Sequence, residues 1–278
     1  MPPISLINQL QTLGWPSPAI NGIATRYVGF PIMWFGDHNL YFKSNLKVIT
    51  VAINPSDVEF PSTINRFPAY NPSYHSHIDY LKALDQYFTI EPYISWFRVY
   101  ENALHGLNAT YGGKMCPNSY NADLQDTNTA LHIDYDAPVA TVPTWGNLPK
   151  MEQTAITNHY SSFFNNLIEY LNPDVILVSV ATHKLNDIVR TLGLVWCKNL
   201  IKKGRVVAKI YLNKGKVLIA GQNRGTPMAS LSNEEMAVVC AHAESLRNNN
   251  IKPLCDTISE GGNIDDKIGI KLSGYSCI

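Results

Sequence analysis

Charge is scarce in this chain. Only 16% of its 278 residues are Asp, Glu, Lys or Arg, and the two signs cancel to a formal net charge of zero. A zero balance removes any global basic field, while a 45% hydrophobic content argues against wholesale disorder and allows a sizeable core. Long apolar runs are also missing. No stretch of about 18 apolar residues occurs, so no membrane span is expected. The opening MPPISLINQLQTLGW lacks a basic segment leading into an apolar one, so no secretory signal is expected. Cysteine is sparse: Cys116, Cys197, Cys240, Cys255 and Cys277 are odd in number and never spaced C-x-x-C. That fits reduced thiols in a cytoplasmic protein better than disulfides, zinc or an iron–sulfur cluster. Neither metal nor cofactor is expected. A metal-dependent hydrolase could use His75-x-His77 with His132-x-Asp134, but a lone pair of histidines in a Tyr- and Ser-rich stretch is more often surface or core.

One absence is local. From Ile188 to Asn233 there is no Asp or Glu, yet nine cations occur: Arg190, Lys198, Lys202, Lys203, Arg205, Lys209, Lys214, Lys216 and Arg224. Such a segment can serve a phosphate backbone even when the whole chain is neutral, or it can simply be a solvated basic surface.

Four short runs rich in Val and Ile and bounded by turn residues predict buried strands: Lys47–Ile53, Ala130–Asp134, Asp174–Val180 and Lys216–Ala220. Val206–Leu212 is a fifth candidate, hairpinned to the last through Asn213–Gly215. Helical patterns lie near His77–Phe88, Tyr93–His105, Met151–Leu171 and His183–Leu192. A final helix starts from the capping box Ser232 and Glu235 and runs to about Leu246. Strands alternating with helices imply an α/β fold with a mainly parallel sheet of four to five strands. Ligands of such sheets sit at the carboxyl ends of the strands. The polar stretch Asn108–Thr127 shows no periodicity and suits a lid, a binding loop or plain mobile surface.

Three segments at predicted strand ends carry chemistry. The first is VITVAINPSDVEFP, in which Asn54-Pro55 follows a strand, in isolation an ordinary turn signal. The second is LHIDYDAPVATVPTW, with Asp134 at a strand end and Asp136 as the alternative register. The third is LIAGQNRGTPMASLSNEEM, a strand, an irregular turn and a capped helix.

Together these resemble the uracil-DNA glycosylase superfamily, over roughly residues 47–246. The first segment is closest to the Gly-x-Asn-Pro-Gly form of the mismatch-specific, thymine-DNA and single-strand-selective branches, with Ala52 and Ser56 in place of the glycines. The resemblance implies a single domain over 1–278 with a three-layer α/β/α fold, a monomer, and a hydrolase that flips a nucleotide out of DNA and breaks its N-glycosidic bond. It gives Asn54 the role of holding the attacking water. The Asp of the most active uracil-specific branch is absent unless Asp57 substitutes. In the third segment the Leu231-Ser232 ending and the helix match, but Gln222, Asn223 and Arg224 stand where His-Pro-Ser is usual. Asn223 or Gln222 would contact the base, and Arg224 or Met228 would be the wedge. Lys202, Lys203 and Arg205 would meet DNA. Phe67, Phe60 and, more weakly, Trp145 and Tyr135 are candidate stacking platforms, though each also suits a core.

Asp134 occupies the place of an Asn that reads uracil in uracil-specific members. An ionised carboxylate only accepts hydrogen bonds, and uracil O4 also only accepts, so the match is poor. Cytosine offers an N4 amine that donates. The expected substrate is therefore a cytosine-type base, with hypermodified viral cytosine and antiviral defence as one setting. Uracil or mismatch repair, and non-catalytic DNA binding, are the alternatives.

Overall fold

The computed structural model describes residues 4–13, 24–25, 31–61, 63–68, 76–115, 128–203, 205–221 and 231–248. In chain order the elements are α1 (Ile4–Leu13), β1 (Ala24–Thr25), α2 (His38–Lys43), β2 (Val48–Ala52), α3 (His77–Asp85), α4 (Tyr87–Ile90), α5 (Ile94–His105), β3 (Ala109–Thr110), β4 (Asn128–Asp134), β5 (Thr141–Val142), α6 (Lys150–His159), α7 (Ser161–Leu171), β6 (Val175–Val178), α8 (Thr182–Thr191), β7 (Val195–Lys202), β8 (Arg205–Asn213), β9 (Lys216–Gly221) and α9 (Asn233–Asn248). Among the described residues no helix is long and apolar enough to cross a membrane.

The fold is mixed α/β around a seven-stranded sheet in the order β3-β4-β2-β6-β9-β8-β7. The pairs from β3 to β9 are parallel, and β8 and β7 are added antiparallel. Every residue of β2 and β6 is buried. Continuous Val and Ile runs produce this because a central parallel strand presents both faces to packed layers.

The sheet is wider than the four to five strands expected. All five expected strands are present, and β3 and β7 are the additions. β3 has only two residues, too few to show a period. β7 (VWCKNLIK) carries two register shifts against β8. Bulges of this kind break the alternation by which a half-exposed edge strand is recognised. Two expected helices are each divided: His77–Phe88 into α3 and α4 at Gln86, and Met151–Leu171 into α6 and α7 at Tyr160. The capping box at α9 is present: Ser232 N–H donates to Glu235 Oε2 at 2.8 Å, and Glu235 N–H donates to Ser232 Oγ at 3.3 Å.

Two features fix the surroundings of the strand tips. Gly106, after α5, lets α9 approach so closely that a Cβ there would lie 1.9 Å from the Ala237 carbonyl oxygen. Beyond β3, the free edge of β4 is taken by Phe35, whose N–H donates to His132 O at 2.9 Å while His132 N–H donates back at 3.0 Å.

Candidate functional site at the carboxyl edge of the sheet

Parallel pairing brings the ends of β2, β4, β6 and β9 to one edge. Ala52 is registered with Asp134, and the chains stay tied past the strands: Tyr135 N–H donates to Ala52 O at 3.0 Å and Asp136 N–H to Ile53 O at 2.9 Å. Asn54 and Asp134 thus leave neighbouring strands, whose axes lie about 4.8 Å apart. The tip of β9 lies on the same edge with β6 between it and β2.

Asn54 is held by its amide. Nδ2 donates to Pro55 O (2.8 Å), Val139 O (3.2 Å) and Thr141 Oγ1 (3.3 Å). Both amide hydrogens are therefore committed to protein oxygens. Among the described residues no donor reaches Oδ1, which remains an acceptor at the edge of the sheet. Asp57 lies one turn on, with Oδ1 buried and without a hydrogen-bond partner among the described residues.

Asp134 is buried, with its side chain 2% exposed. Burial pushes its carboxyl above the ordinary range, the neighbouring His132 pulls it down, and Asp136 pushes it up. His132 Nε2 stands 3.7 Å from Asp134 Oδ1, an ion-pair distance too long for a hydrogen bond, and Oδ1 has no hydrogen-bond partner among the described residues. Asp136, the alternative register, has one oxygen occupied, while its Oδ2 is buried without a partner among the described residues. Its Oδ1 accepts from Lys184 Nζ at 2.6 Å and from Thr157 Oγ1 at 3.1 Å. Asp134 Oδ1, Asp136 Oδ2 and Asp57 Oδ1 are thus all buried carboxylate oxygens without a hydrogen-bond partner among the described residues, and of the three Asp134 Oδ1 belongs to the residue registered with the end of β2.

Phe60 and Phe67 pack against each other with centroids 6.1 Å apart, and both are core residues, 5% and 3% exposed. Phe60 also meets Phe35, and Phe67 meets Tyr87. Tyr135 faces the other side of the sheet, edge-on to Phe164 and 5.7 Å below Lys184 Nζ. Trp145 is half-buried against a small second cluster of Ala137, Val139, Leu148, Ile156 and Tyr160.

The basic segment is divided by its hairpins. Ala208 pairs with Gly221, and Lys202 with Arg205, so the β7–β8 turn extends past the end of β9 on the Asn54 side. Lys203 and Arg205 are exposed there, and Lys202 Nζ is 2.5 Å from Glu235 Oε2 in the first turn of α9. Lys214 and Lys216 go to the opposite edge, where Lys216 Nζ donates to Asn172 Oδ1 at 2.6 Å. Gln222, Asn223, Arg224 and Met228 lie outside the described residues, as does His75. His77 contacts Gln11. Among the described residues no group of three or more His, Cys, Asp or Glu is assembled to hold a metal ion.

One titratable group was not anticipated. Glu59, in the same turn as Asn54, is buried and pushed up to about 8, first by burial, with Tyr87 pulling it down and Asp134 pushing it further up. Tyr87 donates its hydroxyl to Glu59 Oε1 at 2.5 Å, and Glu59 N–H donates to Ser56 Oγ at 3.0 Å. The sequence signal is SDVEF, an acid followed directly by an aromatic in the turn after a buried strand. His132, two residues before Asp134 and so on the same face of β4, packs beside that carboxylate. Compared with protein-family models and with curated proteins, the chain matches none.

Proposed function

We propose that the protein is a monofunctional DNA glycosylase, an atypical relative of the uracil-DNA glycosylase superfamily with its three-layer fold. It flips a nucleotide and excises a modified cytosine by water-mediated hydrolysis. The observation that carries this reading is the placing of two acceptors without hydrogen-bond partners among the described residues at adjacent strand tips, Asn54 Oδ1 and the buried Asp134 Oδ1. The first would take a hydrogen from water and aim its oxygen at the sugar carbon. The second would take the N4 hydrogen of the flipped base. Cleavage of this kind develops positive charge on the sugar, so field and position do the work without a covalent nucleophile. The exposed cations of the β7–β8 turn would meet the phosphates, and unpairing costs a few kcal/mol that base contacts offset.

The test offers oligonucleotides, single- and double-stranded, containing cytosine, hydroxymethylcytosine, glucosylated hydroxymethylcytosine, uracil or a G·T mismatch, and scores abasic sites by alkaline cleavage. Abasic sites at a cytosine-type base are expected. Uracil as the sole good substrate would overturn the argument from Asp134 and leave a repair enzyme. Binding without any abasic site would leave a DNA-binding protein.

A further inference from the structure

We propose that the buried chain Tyr111–Thr50–His132 aims an N–H at Asp134 and so fixes Asp134 as an acceptor for the amine of a cytosine-type base. The inference deepens the reading above and rests on it for the identity of the ligand.

The chain is built by the sheet. Thr50 of β2 is registered with His132 of β4, and Asp134 follows two residues later on the same face. Thr50 Oγ1 lies 2.7 Å from His132 Nδ1 and 2.5 Å from the Tyr111 hydroxyl. Tyr111 is itself pinned, since its N–H donates to Glu101 Oε2 of α5 at 3.0 Å. The imidazole is held among the rings of Phe35, Phe97 and Tyr100.

Proton counting sets the direction. Burial holds Tyr111 well above the ordinary phenol range, so it keeps its hydrogen. Among the described residues its hydroxyl has Thr50 as its one partner, so that hydrogen goes to Thr50 Oγ1. The threonine has a single hydrogen, which must then go to Nδ1. A neutral imidazole that accepts at Nδ1 carries its hydrogen on Nε2, the atom facing Asp134. The other groups around Asp134 are Glu59 from the turn after β2, Asp136 on its own strand and Tyr100 from α5. Burial pushes Glu59 up to about 8, which favours its neutral form and weakens its repulsion there. The Nε2–H therefore opposes the burial that would keep Asp134 protonated. A protonated Asp134 would instead donate a hydrogen, and would suit the O4 of uracil or thymine.

Thr50→Val and Tyr111→Phe each remove one hydroxyl at nearly constant volume. Carboxyl carbon NMR titration of Asp134 is expected to rise by about one unit in each, a tenfold change in its ionisation equilibrium. His132→Gln, which keeps a donor, should titrate below His132→Phe, which does not. With the base panel, the acid limb of cytosine-type excision should move to higher pH in Thr50→Val and Tyr111→Phe, and uracil should gain relative to it. An unchanged Asp134 titration in both hydroxyl variants overturns the inference whatever the wild-type protein excises. An inactive wild type with a shifted titration would instead strike at the glycosylase reading alone.

Discussion

Lys184 Nζ lies 2.6 Å from Asp136 Oδ1, with side-chain exposures of 16% and 0%. Asp136 follows β4 and Lys184 sits in the first turn of α8, after β6, so the pair spans the tip of β2 that lies between them. It holds in place the ground from which Asn54 and Asp134 project. Removing one partner, in Lys184→Met or Asp136→Leu, is expected to cost about 3 kcal/mol, at the low end for a buried pair because Lys184 keeps some contact with water. Urea denaturation checks this. The double variant Lys184→Met/Asp136→Leu should recover most of the loss, and additive losses would show that the pair is not coupled.

Asn54→Ala should lower excision about 100-fold or more while DNA affinity stays within a factor of a few. Two of its three amide contacts tie the Asn54 turn to Val139 and Thr141, and the third is to the adjacent Pro55 carbonyl, so a stability decrease of about 1 kcal/mol should accompany it. Abasic-site yield and fluorescence anisotropy separate the two effects. Full-rate excision by the variant would remove Asn54 from the chemistry.

Glu59 makes stability depend on pH with a definite sign. Its folded value, about 8, lies above its ordinary 4.5, so between these the folded chain binds the extra proton. Stability from this group is whole below about 4.5 and is lost as pH rises toward 8. Asp134 and Asp136, also raised by burial, add the same sign. Glu59→Gln should flatten the decline in denaturation midpoints measured across this range. Superimposable pH profiles would mean that Glu59 is ionised in the folded protein.

Lys203 and Arg205 stand at the edge that carries Asn54, and Lys214 at the opposite one. For duplex DNA, every phosphate that the protein ceases to neutralise should reduce the slope of log affinity against log salt by about 0.9. Lys203→Ala/Arg205→Ala should therefore flatten the salt dependence, and Lys214→Ala should leave it unchanged. Equal effects from both edges would mean that DNA is not held at the carboxyl edge.

Much of this architecture was written locally. The runs of β2, β6 and β9 are dominated by Val, Ile, Leu and Ala because these strands are buried, and such runs are recognisable without long-range information. The capping box at Ser232 and Glu235 is a contact within four residues, so its residues predict its geometry. Asn54 and Asp134 stood out because each closes such a run.

What the sequence by itself determined is the set of elements and the residues at their ends, since period, capping and turn chemistry act over a few neighbours. Tertiary structure alone decided which ends meet. It took Phe60 and Phe67 into the core, gave Asp136 to Lys184, divided the basic run between two edges, and set Glu59 and His132 against Asp134. Each of these outcomes depends on strand order and burial. Those arise from contacts between segments tens of residues apart, and no local pattern carries the energy of desolvating a carboxyl or the direction of a hydrogen-bond chain.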